Sequence, residues 1–152
     1  MKHGLKLTVT VKEIIEDHQL WLRGFKDGHQ GRLDCVDLQN VTLECEDLDK
    51  ISLERACLRF ANLHNSTFRF AALKGADLKL ADLRNTCFTH ADLRNADLRC
   101  ADLSDADFSH ADLRGADLTG AKFLRTDFPN ANIDGARIIG VSFDKGKAND
   151  IH

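Results

Sequence analysis

Residues 91–125 read ADLRN ADLRC ADLSD ADFSH ADLRG ADLTG AKFLR, which is seven consecutive blocks of five residues. The same spacing continues in both directions without an insertion, from Gly31 to Lys145. The third position of each block, here called the inner large position, is Leu, Phe or Ile at all 23 places from Leu33 to Phe143. The first position, called the inner small position, is Ala at 14 of these 23 places.

This period matches neither an α-helix nor an ordinary β-strand. Two apolar residues spaced two apart share one side of an extended segment, so both inner positions are expected to point into a core. The residue between them (first outer position) and the residue after them (second outer position) then face outward. The fifth residue is called the corner position because the chain has to turn there before the next block begins.

Blocks such as Ala91-Asp92-Leu93-Arg94-Asn95 and Ala116-Asp117-Leu118-Thr119-Gly120 resemble the repeats of the pentapeptide-repeat family, A-(D/N)-L-x-x. The resemblance implies an all-β solenoid, a right-handed quadrilateral parallel β-helix with four pentads in each coil of 20 residues. The 115 residues from 31 to 145 would then make between five and six coils. A second period supports the four-sided coil, because Phe recurs every 20 residues in two series, Phe68, Phe88, Phe108 and Phe128 in one and Phe123 and Phe143 in the other.

Three segments are predicted: an N-terminal cap over 1–30, the β-helix over 31–145 and a flexible tail over 146–152. Within the cap, the alternation from Leu5 to Val11 predicts a short strand, and a capping box at Thr10 predicts a helix after it. His18 and Trp21 are interpreted as packing residues of this cap.

The N-terminus shows no signal peptide, and no apolar run is long enough to cross a membrane. The five cysteines show neither a spacing of 20 residues, which would stack them, nor a Cys-x-x-Cys motif, which indicates free thiols. We therefore expect a cytoplasmic protein.

The sequence predicts no catalytic, cofactor-binding or metal site. His90 and His110 occupy the same corner one coil apart, at an expected distance of ~5 Å, but zinc needs three or four ligands. A regular column of Asp77, Asp97 and Asp117 offers the same surroundings three times, which indicates a scaffold and not an acid–base pair. No enzymatic activity and no cofactor are predicted.

Charge is unevenly distributed along the rod, since residues 55–100 hold eight bases and four acids while the flanking coils are acidic. Two basic columns and a neighbouring apolar corner form the predicted partner surface: Arg59, Lys79 and Arg99; Lys74, Arg94 and Arg114; and Phe60 with Leu80. The alternative is that these bases only complement the Asp columns.

Near the C-terminus, the outer residues are no longer all polar, since Leu124, Pro129 and Ile139 occupy second outer positions. This change suggests a homodimer through the last coil. The alternative is a small apolar patch without a role.

The leading functional prediction is a non-catalytic interaction or scaffold module that binds another protein. The family resemblance adds a DNA mimic that regulates or protects type II topoisomerase, and a secreted bacterial effector. The topoisomerase alternative is weakened by a repeat region with 15 bases against 19 acids and a basic middle. Direct nucleic-acid binding is not expected at a net charge of −3 without aromatic residues between the basic columns.

Overall fold

The 20-residue coil is confirmed by the backbone pairing of the repeats. A computed structural model describes residues 3–143, with side chains described from residue 11 to residue 142. Each first outer residue from Arg32 to Asp117 forms a parallel bridge to the residue 20 positions later, as in Arg32 with Ser52 and Asp77 with Asp97. Only the last pairing is longer, where β1 (Lys122–Phe123) pairs in parallel with β2 (Ser142–Phe143). Four pentads therefore complete one turn of the β-helix.

The corners adopt the left-handed backbone conformation. Every corner residue from Cys35 to Gly140 has a φ between 54° and 72°. Many turns are closed by a hydrogen bond from the next inner small amide to the preceding inner large carbonyl, such as Ala56 N to Leu53 O at 3.1 Å. A positive φ at the third residue of a turn favours Gly and Asn. Ten corners from position 40 to 140 hold Gly or Asn, in agreement with this preference.

The core consists of the two inner series. All inner large residues from Leu33 to Phe123 are buried, whereas Phe128, Ile133 and Ile138 of the last coil are partly buried. The predicted aromatic column is confirmed, because the rings of Phe68, Phe88, Phe108 and Phe128 stack with centroid separations of 5.1, 5.0 and 5.2 Å. Such stacking stabilises aromatic pairs beyond the burial of their area. In the second predicted series, Phe123 lies in register with Phe143.

A single helix covers the N-terminal end of the coil. Helix α1 spans His3–Leu22, so the strand predicted over Leu5–Val11 is wrong, and so is the helix start at Thr10. The alternating Val and Thr residues favour a strand only weakly, and a helix that already has a packed amphipathic second half extends cooperatively at little cost. The helix ends in a Schellman motif, with Phe25 N bonded to Leu20 O at 3.1 Å and Gly24 at φ 78°.

The buried side of α1 holds the cap onto the first coil. Val11, Ile15 and His18 are spaced on one helical side and are buried against the coil. Gln19 Nε2 donates to Glu46 Oε2 at 2.9 Å and to the Asp47 carbonyl at 3.1 Å. This contact explains why the first coil tolerates Glu46 at an inner small position. Within the described residues, no helix is long and apolar enough to cross a bilayer. The predicted tail over 146–152 lies outside the described residues.

Candidate interaction surface

The first predicted basic column is largely neutralised by carboxylates. Arg99 donates two hydrogen bonds to Asp97, from Nε to Oδ1 at 2.9 Å and from Nη2 to Oδ2 at 2.8 Å. Lys79 Nζ lies 3.5 Å from Asp77 Oδ2 and 3.2 Å from Asp97 Oδ2. Burial by itself would raise the pKa of Asp97, but the hydrogen bonds from Arg99 and Lys79 outweigh it and keep that pKa below its usual value.

In the second predicted basic column, Arg94 and Arg114 are also bound to carboxylates. Arg94 binds Asp92 through two hydrogen bonds of 2.8 and 2.6 Å, and Arg114 binds Asp112 in the same way. The hydrogen bond from the Arg94 side chain is the main cause of the lowered pKa of Asp92. Lys74 differs, because Ala72 stands at the first outer position of its pentad. Pairing within a pentad arises because residues two apart on an extended chain point to the same side.

Arg59 is the exception in the first column. The first outer position of its pentad is Cys57, where the later coils carry Asp77, Asp97 and Asp117. Among the described residues no ion pair involves Arg59, and its Nε is buried without a hydrogen-bond partner. Its guanidinium carbon lies 5.8 Å from the ring centroid of Phe60, within the range of a cation–π contact.

The apolar corner beside this column is exposed, as the sequence predicts. Phe60 is 49% and Leu80 48% accessible, and they occupy the same corner in successive coils. Both have a positive φ, 58° and 57° respectively, which L residues with bulky side chains adopt at a cost. A large apolar side chain that is both exposed and strained contributes little to folding.

A second corner carries three stacked rings. Phe70 and His90 lie 4.9 Å apart and His90 and His110 4.7 Å apart between ring centroids, so the predicted proximity of the two His residues is confirmed. Phe70 is 57% exposed. No group of three or more His, Cys, Asp or Glu side chains suited to a metal ion occurs among the residues that the structure describes.

The residues predicted for a dimer contact do not lie on one side of the rod. Leu124, Pro129 and Ile139 follow the inner large residues of three different sides of the last coil, so they ring its circumference. Ile139 is 58% exposed and Leu124 is half-buried.

The five cysteines are free thiols, as predicted, and Cys35, Cys45 and Cys100 are exposed.

The structure also contains a groove that the sequence does not predict. A groove of about 650 Å³ lies beside the contact between α1 and the first coil and is lined on its apolar side by Val11, Ile15, Leu20, Val41 and Leu43. Periodicity alone does not specify where a cap crosses a coil.

Two family profiles match this chain. The pentapeptide repeat region matches residues 61–138, and the pentapeptide repeats profile (8 copies) matches residues 32–69. The chain belongs to the pentapeptide-repeat family. The right-handed winding expected from the resemblance stays a prediction. No curated protein matches this chain.

Solved pentapeptide-repeat structures are similar to this chain. Rfr23 from the cyanobacterium Cyanothece 51142 is 24% identical over 75% of this chain and 84% of its own, with a TM-score of 0.57, which supports the fold alone. A pentapeptide repeat protein of the Arabidopsis thaliana thylakoid lumen is 35% identical over 66% of this chain and 63% of its own, with a TM-score of 0.34. QnrB1, a plasmid-mediated fluoroquinolone resistance protein, is 17% identical over 75% and 82%, with a TM-score of 0.33.

Proposed function

We propose that this pentapeptide-repeat protein is a non-catalytic module that binds another protein through the corner formed by Phe60 and Leu80. The observation that carries the proposal is the exposure of these two side chains in one corner, next to an arginine without a carboxylate. Exposed apolar groups grouped on a polar surface are typical of protein interfaces. The proposed activity requires no cofactor and no chemistry at the surface.

The rod suits this role because its backbone is held by hydrogen bonds between coils. Around the corner, Phe60 N donates to Lys79 O and Leu80 N donates to Arg99 O, each at 3.0 Å. Solenoids commonly use such preformed surfaces, which lose little conformational entropy when a partner binds. The five free thiols support the proposed cytoplasmic location.

Affinity capture from native lysate, with mass-spectrometric identification, tests the proposal. The wild-type protein is expected to retain a specific protein that the double variant Phe60→Ser and Leu80→Ser does not retain. Phe70→Ser is the matched control, because Phe70 is a comparably exposed aromatic residue at a different corner. A partner that binds the double variant and the wild type equally would refute the proposed surface.

The pairing of arginines with the Asp columns argues against the topoisomerase alternative. A protein that imitates DNA needs uncompensated acidic rows, whereas Asp92, Asp97 and Asp112 each bind an arginine of the same pentad. We expect the purified protein to leave gyrase supercoiling unchanged. Inhibition at micromolar concentration would favour the DNA-mimic function instead.

We further propose a homodimer in which the last coils of two copies meet end to end at their C-terminal ends. Phe128, Ile133 and Ile138 are only partly buried there, and Ile139 is exposed, so a second copy would cover apolar surface. Sedimentation at micromolar concentration should show a dimer that Ile139→Lys converts to a monomer. A wild-type monomer under these conditions would exclude this assembly.

A further inference from the structure

Arg59 stands apart from the other arginines at the same position of the repeat. Six arginines occupy second outer positions, and five of them bind a carboxylate within the described part of the chain. These five are Arg69, Arg84, Arg94, Arg99 and Arg114. Arg59 has no such ion pair because its own pentad carries Cys57 and because the next carboxylate of the column, Asp77, is bound by Lys79 at 3.5 Å.

The surroundings of Arg59 combine one unpaired positive charge with an apolar ridge. The guanidinium packs over the Phe60 ring, and Leu80 lies at the same corner one coil later, a separation of about 4.8 Å along the rod. The Nε atom is buried without a protein hydrogen-bond partner, so the side chain is held in place by packing and not by a hydrogen bond at that atom. An arginine that is already positioned loses less entropy when it binds a carboxylate.

We propose that Arg59, Phe60 and Leu80 form a binding site for a protein segment that carries a carboxylate close to an apolar side chain. The apolar side chain packs against the outer surface of Phe60 and Leu80, and the carboxylate accepts hydrogen bonds from the terminal guanidinium nitrogens of Arg59. This inference rests on the proposed function and specifies the chemistry of the partner.

The charges along the column of Arg59 favour binding of a protein carboxylate over binding of a nucleic-acid backbone. The bases next to Arg59 along the column, Lys79 and Arg99, are already bound to Asp77 and Asp97. A continuous row of phosphates would therefore meet one free cation followed by carboxylates, and repeated phosphate contacts are what nucleic-acid affinity depends on. A single carboxylate fits one free guanidinium.

A random peptide library displayed on phage and selected on the full-length protein tests the inference. We expect enriched peptides to share an Asp, a Glu or a terminal carboxylate within two residues of an apolar side chain. Fluorescence anisotropy then compares each synthetic peptide with its Asn, Gln or C-terminally amidated form, which also distinguishes side-chain from terminal carboxylates. Loss of the carboxylate should weaken binding to the wild type by roughly tenfold, the usual contribution of a charge-assisted hydrogen bond.

The variants make this result specific to Arg59. Arg59→Gln should bind the acidic peptide and its neutral form equally, whereas Arg84→Gln, at the same repeat position on another side, should keep the tenfold preference. Peptides that depend on Phe60 and Leu80 but show no carboxylate preference would overturn the inference and leave the proposed function standing. If no peptide binds the wild type better than the Phe60→Ser, Leu80→Ser variant, the inference is also overturned, and the lysate capture decides the proposed function separately.

Discussion

The Nδ1 atom of His18 accepts a hydrogen bond of 3.0 Å from the backbone amide of Gly31, and this contact joins α1 to the first coil. His18 is completely buried and stacks on Trp21 at 5.6 Å between ring centroids. Burial lowers the pKa of His18 from 6.5, more strongly than the Asp49 backbone and the charges of Asp47 and Asp49 raise it. Protonation would also convert Nδ1 into a donor and remove the acceptor for Gly31.

The first prediction concerns the dependence of stability on pH. The unfolded chain binds a proton at His18 with a pKa near 6.5, whereas the folded chain resists it. The free energy of unfolding therefore contains the full contribution of neutral His18 above this pH. That contribution is lost as the pH falls below 6.5, toward the lower pKa of the folded state. Urea unfolding at about pH 7.5, 6 and 5 should show that the free energy of unfolding declines as the pH falls, and the decline should be smaller for His18→Gln. His90→Gln is the control; an equal decline in all three proteins would contradict a role for His18.

The aromatic column predicts a large difference between two phenylalanines. Phe88 is buried between Phe68 and Phe108, so Phe88→Ala should lower the free energy of unfolding by about 3–5 kcal/mol. Phe70 stacks on His90 but is 57% exposed, so Phe70→Ala should cost about 1 kcal/mol or less. Chemical denaturation measures both changes, and equal losses would mean that the inner column does not carry the core.

The inner small series predicts that the core rejects larger side chains. Ala96 is 1% exposed, and Ala96→Leu should destabilise the protein by about 1–3 kcal/mol through overpacking. Ala72 is a half-buried alanine at a first outer position, so Ala72→Leu should change stability by about 0.5 kcal/mol or less. Thermal unfolding followed by circular dichroism compares the two, and tolerance of leucine at position 96 would show that the coil interior is wider than the structure indicates.

The corner conformation predicts a conflict between stability and binding at Leu80. Because Asn accepts a positive φ more readily than Leu, Leu80→Asn should raise the free energy of unfolding by about 1 kcal/mol. The reverse substitution, Asn85→Leu, places a leucine at φ 55° and should lower stability by a similar amount. Urea unfolding measures both. A stabilised Leu80→Asn variant that has lost its partner would indicate that Leu80 serves binding at the expense of folding.

The amino-acid sequence by itself determined the core, because an interval of five residues between inward-pointing side chains is a local property of the chain, and the resemblance to pentapeptide repeats implied the 20-residue coil. The recurrence of Phe every 20 residues was sufficient to predict the stack from Phe68 to Phe128. The position of each corner followed as well from the five-residue spacing, whereas the positive φ at every corner was visible only in the structure.

The cap and the details of the surface were decided only by the tertiary structure. The segment from Leu5 to Val11 alternates like a strand, yet it belongs to α1, whose second half packs on the first coil. The sequence placed Arg59, Lys79 and Arg99 in one basic column, but coordinates were needed to show that carboxylates neutralise two of them and not Arg59. Periodicity specifies which side of the rod a residue occupies; the partner that its charge finds depends on distances of a few ångströms between side chains on the same and neighbouring coils.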